Sequence, residues 1–405
     1  THGIDLVIAQ PELGEKLKKS FGSDKPPSIV SEFGDFEKIT QNIFEGNSLA
    51  ASKEPNDLAV VIFTSGSTGR RKGVMQTHRN LIANTNSIVE YLNLKSDDRM
   101  NVLLPFTYSY GLSLLHSHLL VGGSLYLHSS PFLGTVISEI EHYNCTGLTG
   151  VPISFQTLIN KTPFLNSELR SLRYMTQAGG KLSDKYLKKL ILHQNDVDFF
   201  VMYGATEATS RLTYLPPSQL EHHMGSIGVA IPGVEIDIVD VNGFSVGTDK
   251  VGEIIAFGEN ITPGYLNDPE ETGRVIRNSW LYTGDLGKKD ADGFIYVIGR
   301  KSRIMKTLGY RVSLDRIEQT LLEIDEVVNA GVISYEHPSL GEVSVAVVEV
   351  KEIEDLETLR KRLLNHCNNI LASYEVPYAI KFIKNIPEKS SGKIDFEALQ
   401  LALQK

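Results

Sequence analysis

Between residues 59 and 202 the sequence alternates short apolar runs with segments of helical period, and few folds accommodate that order. Residues 59–63, 101–105, 124–128, 146–151, 172–177 and 198–202 read as strands. Residues 78–92, 111–121, 132–143, 154–160 and 183–194 read as helices, the first with Leu81, Ile88 and Leu92 on one face. Strands separated by helices predict parallel sheets covered on their faces by those helices. The rhythm changes after Pro216-Pro217. Residues 234–240 alternate strictly, 252–257 and 294–298 read as strands, and Asn242-Gly243 and Asp292-Gly293 are turn dipeptides. That is an antiparallel, half-exposed β-subdomain. From residue 299 onward, helices at 313–322, 356–371 and 396–403 and strands at 327–335, 343–350 and 378–383 make a compact α+β unit. The expected fold class is α/β. A large domain covers 1–299, with helix-covered, largely parallel sheets in 1–215 and the β-subdomain in 216–299; a small α+β domain covers 300–405. At the front, 5–10 read as a strand, 11–20 as a helix opened by Pro11, and 28–33 as a strand.

Composition narrows the function classes. A chain of 405 residues exceeds one compact core. The net charge of −9, with no long basic run, argues against general nucleic-acid binding. Cys145 and Cys367 are the only cysteines and stand far apart, so neither a disulfide framework nor metal spacing is expected, and a reducing, cytoplasmic setting is. The longest apolar stretch, 112–127, is interrupted by His116, His118 and Gly122-Gly123, too broken to span a bilayer. No basic–apolar signal opens the chain, which begins with Thr1 and not Met, so residues upstream are expected.

The segment Thr64-Ser-Gly-Ser-Thr-Gly-Arg-Arg-Lys-Gly-Val74 follows an apolar strand and precedes a helix. Glycine lets backbone N–H groups converge on an anion. Thr64, Ser65, Ser67 and Thr68 add hydroxyls, and Arg70, Arg71 and Lys72 add positive charge. Read as strand, loop and helix, this is the layout of a phosphate cradle; the alternative is an ordinary polar surface loop. It is not a Walker A loop, because no Lys-Ser/Thr pair closes the pattern. Further glycine-bearing signatures follow at positions read as loops: Gln177-Ala-Gly-Gly180, Tyr203-Gly-Ala-Thr-Glu207, Tyr282-Thr-Gly-Asp285, Gly299-Arg300, Lys306-Thr-Leu-Gly309 and Ser391-Gly-Lys393. Ligands of parallel sheets bind at the carboxyl ends of strands, so the segments 64–74, 177–180 and 203–207 are expected to face one crevice.

In this order the signatures resemble the adenylate-forming superfamily of acyl-CoA synthetases, aryl-acid ligases, luciferase-like enzymes and peptide-synthetase adenylation domains. The resemblance runs from Leu58 to the C-terminus, with part of the usual N-terminal region expected to be missing. It implies two half-reactions: a carboxylic acid attacks the α-phosphate of MgATP to give an acyl-adenylate and pyrophosphate, and a thiol of CoA or of phosphopantetheine on a carrier protein then takes the acyl group. It implies that Thr64, Ser65, Gly66, Ser67, Thr68 and Gly69 hold phosphates, with Lys72 balancing charge as pyrophosphate leaves. Tyr203 would stack on adenine, with Gly204 allowing close approach, and Gly179 and Gly180 would flank the adenine or the acyl pocket. Thr206 and Glu207 would meet the α-phosphate and Mg²⁺, one carboxylate sufficing for the metal. Asp285 would accept the ribose hydroxyls, with Arg300 assisting. Lys393 would bring an ammonium to charge that grows in the transition state; without the resemblance it reads as a solvated lysine. The small domain would be mobile, rotating between half-reactions about Ser302, with Lys306 and Gly309 entering for the second.

Four departures from the resemblance bear on the loop, the hinge and the substrate. Arg71 stands where a proline often precedes the lysine, and Ser302 where Asp or Lys is usual. Tyr108 occupies a position often held by His, where its ring could gate the acid pocket. Neither Thr107 nor Ser109 offers the carboxylate that an α-ammonium would need, which disfavours an α-amino acid. Arg211 could pair with an anionic group on the substrate; the alternative is a surface arginine. His116 and His118 read as core histidines and His78 as a helix-start residue. Leu112, Val151, Pro152 and Phe155 read equally well as acyl-pocket lining and as core. The hydroxyls of Thr107, Tyr108, Ser109 and Tyr110 favour a compact, partly polar pocket. The first reading is therefore an AMP-forming acid–thiol ligase. The rivals are an enzyme that loads an acid onto a carrier protein and a catalytically silent nucleotide-binding homologue.

Overall fold

The computed structural model describes residues 6–8, 28–30, 54–65, 71–130, 132–307, 310–337, 341–351, 355–388 and 393–403. Two units separate by contacts, 1–54 and 55–405. In the first, β1 (Leu6–Ile8) and β2 (Ser28–Val30) pair in parallel. The helix expected over 11–20 and the strand beyond Val30 lie outside the described residues.

The second unit opens with β3 (Leu58–Ser65) and β4 (Arg71–Thr77). They form an antiparallel hairpin in which Ser65 faces Arg71 across residues 66–70. This corrects the strand–loop–helix layout: a second strand stands between the loop and the helix. Its only apolar pair, Val74-Met75, shows no alternation, and its other neighbour lies nearly two hundred residues away. Helix α1 (His78–Leu92) follows, held by a reciprocal cap in which Thr77 Oγ1 accepts from Asn80 N and Asn80 Oδ1 accepts from Thr77 N.

The chain then alternates as expected through β5 (Arg99–Val102), α2 (Ser109–Val121), β6 (Ser124–Leu127), α3 (Val136–Tyr143), β7 (Gly147–Gly150), α4 (Pro152–Lys161), β8 (Tyr174–Gln177), α5 (Asp184–His193) and β9 (Asp198–Tyr203). Strands β6, β5, β7, β8 and β9 are parallel neighbours in that order. Two short antiparallel strands, β10 (Thr213–Leu215) and β11 (Val229–Ala230), extend the sheet beyond β9. Adjacent residues of one strand serve opposite faces. Met175 and Phe199 join Ile140, Phe155 and Leu187 in one core, whereas Tyr174 and Phe200 join Ile88, Met100 and Leu114 in another. Both faces are buried, the environment a parallel sheet needs.

The β-subdomain comprises β12 (Val234–Val239), β13 (Gly252–Gly258), β14 (Gly264–Tyr265), α6 (Pro269–Val275), β15 (Ile276–Arg277), β16 (Trp280–Lys289) and β17 (Ile295–Arg300). Strand β14 leaves this sheet to pair with β4. Tyr282-Thr-Gly-Asp285 lies inside ten-residue β16, and not in a loop as expected; Gly284, at φ +75°, supplies the irregularity that re-aims Asp285. The C-terminal part holds β18 (Ile304–Thr307), β19 (Tyr310–Ser313), α7 (Leu314–Leu322), β20 (Val327–His337), β21 (Gly341–Val350), α8 (Leu356–Ile370), β22 (Ala379–Ile383) and α9 (Phe396–Leu403). Its core joins Ile317, Leu321, Val332, Val348, Leu363 and Cys367. Both cysteines are buried and unpaired. No described helix is long and apolar enough to cross a membrane.

Because α1 begins immediately after β4, its cap also fixes the start of the helix that backs the sheet. Thr77→Ala is expected to lower unfolding free energy by about 1 kcal/mol in a denaturant titration; an unchanged midpoint would show that the cap adds nothing.

Candidate active site

Three chain segments meet at the carboxyl edge of the parallel sheet. Beyond β8, Gly179 sits at φ +90°, and a Cβ there would lie 3.1 Å from the Tyr108 hydroxyl; the Gly180 carbonyl accepts from Gln177 Nε2 at 2.8 Å. Beyond β9 the backbone folds back on itself, with Leu212 N donating to Tyr203 O at 2.9 Å. Only glycine permits this return at 204: a Cβ there would be 1.8 Å from the Ser210 carbonyl oxygen. Beyond β5, Tyr108 caps α2, and Ser109 Oγ lies 3.4 Å from Thr206 Oγ1.

The hairpin supports this edge from outside the sheet. Gln76 of β4 is fully buried and donates to the carbonyls of Thr206 (3.1 Å) and Thr209 (3.3 Å). Glu207 accepts the Tyr265 hydroxyl on Oε1 at 2.8 Å, and its carbonyl accepts Thr262 N. Burial, then the Glu207 charge, push the Tyr265 hydroxyl well up, so it remains a donor. Lys72 Nζ stands 2.6 Å from Glu271 Oε1 and 5.4 Å from the Tyr265 ring centroid. Tyr265 thus serves Glu207 through its hydroxyl and Lys72 through its ring. The Glu207 carboxylate, one oxygen committed and hydrogen-bonded, suits a hard divalent cation. Among the described residues the only group of three metal-ligating side chains is His223, Asp290 and Asp292, which does not include Glu207.

A second cluster centres on Asp285, 4% exposed. Its Oδ2 accepts the Tyr203 hydroxyl at 2.6 Å and its Oδ1 lies 2.9 Å from Arg300 Nε. Burial, then the Asp285 charge, hold the Tyr203 hydroxyl protonated. Each carboxylate oxygen keeps a second lone pair, so acceptor capacity remains. The third contact comes from the far end of the chain: Lys393 Nζ lies 6.0 Å from the Tyr108 ring centroid. Burial raises the Tyr108 hydroxyl's pKa.

The structure therefore places Glu207 at the hydroxyl and Lys72 at the ring of Tyr265, and brings together Tyr203 with Asp285 and Arg300, and Lys393 with Tyr108, the residue before Ser109, which meets Thr206. Thr64 and Ser65 end β3; Gly66, Ser67, Thr68 and Gly69, like Gly309, lie outside the described residues. The surface reading of Arg211 is overturned, for it is 1% exposed. His118 is a satisfied core histidine, with contacts to Leu114 O (2.9 Å) and Tyr174 Oη (3.0 Å). Phe155 is wholly buried in the core. Ser302 sits between two sets of ion pairs. Arg300 and Lys301 engage Asp285 and Glu253 of the β-subdomain, whereas Arg303 engages Asp315 and Glu318 beyond it.

Gln76, Tyr265 and Glu271 were missed in the sequence because each works through the remote β14–β4 pairing. So was Lys185 of α5, which donates to Ile324 O (2.7 Å) and Val327 O (3.4 Å) of the C-terminal part.

Residues 2–266 match the family model described as AMP-binding enzyme, and 316–393 match AMP-binding enzyme C-terminal domain. Feruloyl-CoA synthase of Amycolatopsis sp is 31% identical over 357 residues, spanning 85% of this chain and 71% of that protein. 2-Succinylbenzoate–CoA ligase of Bacillus pumilus is 30% identical over 345 residues, spanning 85% and 69%. The solved anthranilate CoA ligase AuaEII, in complex with anthranoyl-AMP, shares the fold at a TM-score of 0.88 and 24% identity, covering 98% of this chain and 78% of that one.

Gly204→Ala is expected to cost more than about 2 kcal/mol of stability, since backbone and not a flexible side chain blocks the Cβ. Denaturation midpoints check this, and a change of under a few tenths would contradict the close approach.

Proposed function

Because the chain belongs to the AMP-binding enzyme family, we propose that it is an AMP-forming ligase that joins a small carboxylic acid to CoA through an acyl-adenylate. One observation carries the reading. Lys393, nearly three hundred residues along the chain from Tyr108, stands over that ring beside the Ser109–Thr206 pair. An ammonium there can stabilise charge as carboxylate and α-phosphate react. The names of the relatives support CoA as the thiol acceptor.

In the first half-reaction an oxygen of the acid's carboxylate bonds to the α-phosphorus, and the bond to the bridging oxygen of pyrophosphate breaks. Lys393 offers N–H donors to the reacting oxygens, and the Thr206 hydroxyl donates to the phosphate. Asp285, aimed by Tyr203 and Arg300, accepts the ribose hydroxyls on its remaining lone pairs. The Tyr203 ring, held by that same bond, backs the base. Mg²⁺ bound with ATP supplies charge neutralisation, and Glu207, oriented by Tyr265, is the side chain that would hold it. Lys72, paired with Glu271, is a counter-charge for departing pyrophosphate. In the second half-reaction the CoA sulfur bonds to the acyl carbon, AMP leaves with the bonding pair, and the thiol proton passes to solvent. We assign residues 1–299 to a large body and 300–405 to a small one that turns about Ser302. Support comes from the ion pairs that grip the chain on either side of Ser302 and leave it between them. The two buried, unpaired cysteines suit a reducing cytoplasm.

Acid-dependent ATP–pyrophosphate exchange over a panel of carboxylic acids tests the reading. Lys393→Ala is expected to lower exchange about 10²–10³-fold, by analogy with loss of an oxyanion donor. No exchange with any acid, together with no effect of Lys393→Ala, would leave a nucleotide binder without catalysis. Tyr265→Phe removes a hydrogen bond to a charged group and is expected to lower exchange about tenfold or more, with more Mg²⁺ needed for half-maximal rate. An unchanged Mg²⁺ dependence would count against Glu207 as the metal's carboxylate.

A further inference from the structure

Arg211 is the largest fully buried side chain among the described residues, 1% exposed. Its backbone is clamped: the Asn84 and Asn260 side-chain amides donate to its carbonyl at 3.1 and 3.0 Å, and its N–H donates to Asn84 Oδ1. The guanidinium lies 3.9 Å from the Tyr110 ring centroid. Nη1 donates to Ser210 Oγ, and Nε is buried with no partner. Two other arginines that reach into the protein differ. Arg173 pairs with Asp98, and Arg303 with Asp315 and Glu318. No carboxylate among the described residues pairs with Arg211. A buried cation held by the Ser210 and Tyr91 hydroxyls and a ring face, with no carboxylate among the described residues beside it, carries an uncompensated desolvation cost. Such a cost persists where a charge is kept for an outside partner.

Its location says which partner. Arg211 follows the Thr206–Glu207 turn by four residues, and its Cα lies against Gly204. Tyr110, on which it stacks, is packed edge-to-face with Tyr108 at 6.3 Å, and Tyr108 is the residue under Lys393. A continuous line of contacts therefore runs from the proposed reacting end, through two tyrosines, to an unpaired guanidinium. Resting on the ligase reading above, we propose that Arg211 is a specificity-determining residue that binds a second carboxylate of the substrate, so that this enzyme activates dicarboxylic acids. A guanidinium presents a planar fork of donors that matches a carboxylate, and the orphaned Nε is part of that fork.

The test is ATP–pyrophosphate exchange with α,ω-dicarboxylic acids from malonate to suberate, each beside the monocarboxylic acid of equal carbon count. Arg211→Gln and Arg211→Lys are assayed in parallel, and melting temperatures confirm that both fold. In the wild type one diacid is expected to exceed its monoacid about tenfold or more in kcat/KM. Arg211→Gln is expected to lower the diacid-to-monoacid ratio at least about thirtyfold, through KM. Arg211→Lys should restore part of it, keeping the charge but losing the fork. A wild type that prefers monoacids overturns the proposal while leaving the ligase reading intact. An equal loss on both acid classes assigns Arg211 to structure alone and likewise overturns it. Calorimetric titration of the diacids into wild type and Arg211→Gln tests the binding claim even if no acid supports exchange. Binding that does not depend on Arg211, or no binding, contradicts the proposal; that exchange failure separately contradicts the ligase reading.

Discussion

The Asp285 carboxylate ties three parts of the molecule together. Tyr203 ends the last parallel strand, Asp285 lies within the long strand of the β-subdomain, and Arg300 is the last residue before the turn into the C-terminal part. A nearly buried carboxylate is costly unless its oxygens are engaged, and here each has a donor. Removing either donor would leave a charge buried and under-satisfied, so the three elements hold one another in register. The same group retains lone pairs for a ligand. The charge that organises the fold is therefore also the charge offered to the ribose in the proposed reaction.

Positive charge is distributed around that anchor by a different logic. Lys72 rests on Glu271, Arg300 on Asp285 and Arg303 on Asp315 and Glu318. Lys72 and Arg300 each have a carboxylate at hand that holds the side chain. Arg211 has none among the described residues. Tyrosines do the rest of the positioning. Tyr265 aims Glu207, Tyr203 aims Asp285, and Tyr108 lies under Lys393. Burial keeps the hydroxyls of Tyr203 and Tyr265 protonated, so each acts only as a donor towards its carboxylate.

Helices were the most legible elements because their signals are local. Residues 78–92 and 396–403 read as helices and are α1 and α9. The parallel strands were legible too, since a strand buried on both faces is a plain apolar run. Strand β4 was not, because its partner β14 is remote and its own pattern mixed, and with it went Gln76, Tyr265 and Glu271. The motif residues Tyr203, Asp285 and Arg300 stood out individually, but nothing in their spacing shows that they touch. Arg211 looked like a surface charge because burial of an arginine depends on three-dimensional neighbours, here Asn84, Tyr110 and Asn260, which come from distant segments. Lys393 was legible only through resemblance; its contact with Tyr108 is a product of the fold.

The most direct measurement of the central claim follows an oxygen atom. With an acid that supports turnover, labelled with ¹⁸O in its carboxylate, the enzyme is run with ATP and CoA and the AMP is analysed by mass spectrometry. Attack of the carboxylate on the α-phosphorus followed by thiolysis leaves one labelled oxygen in AMP and none in pyrophosphate. Label in inorganic phosphate or pyrophosphate, or thioester formed with unlabelled AMP, would contradict an acyl-adenylate route.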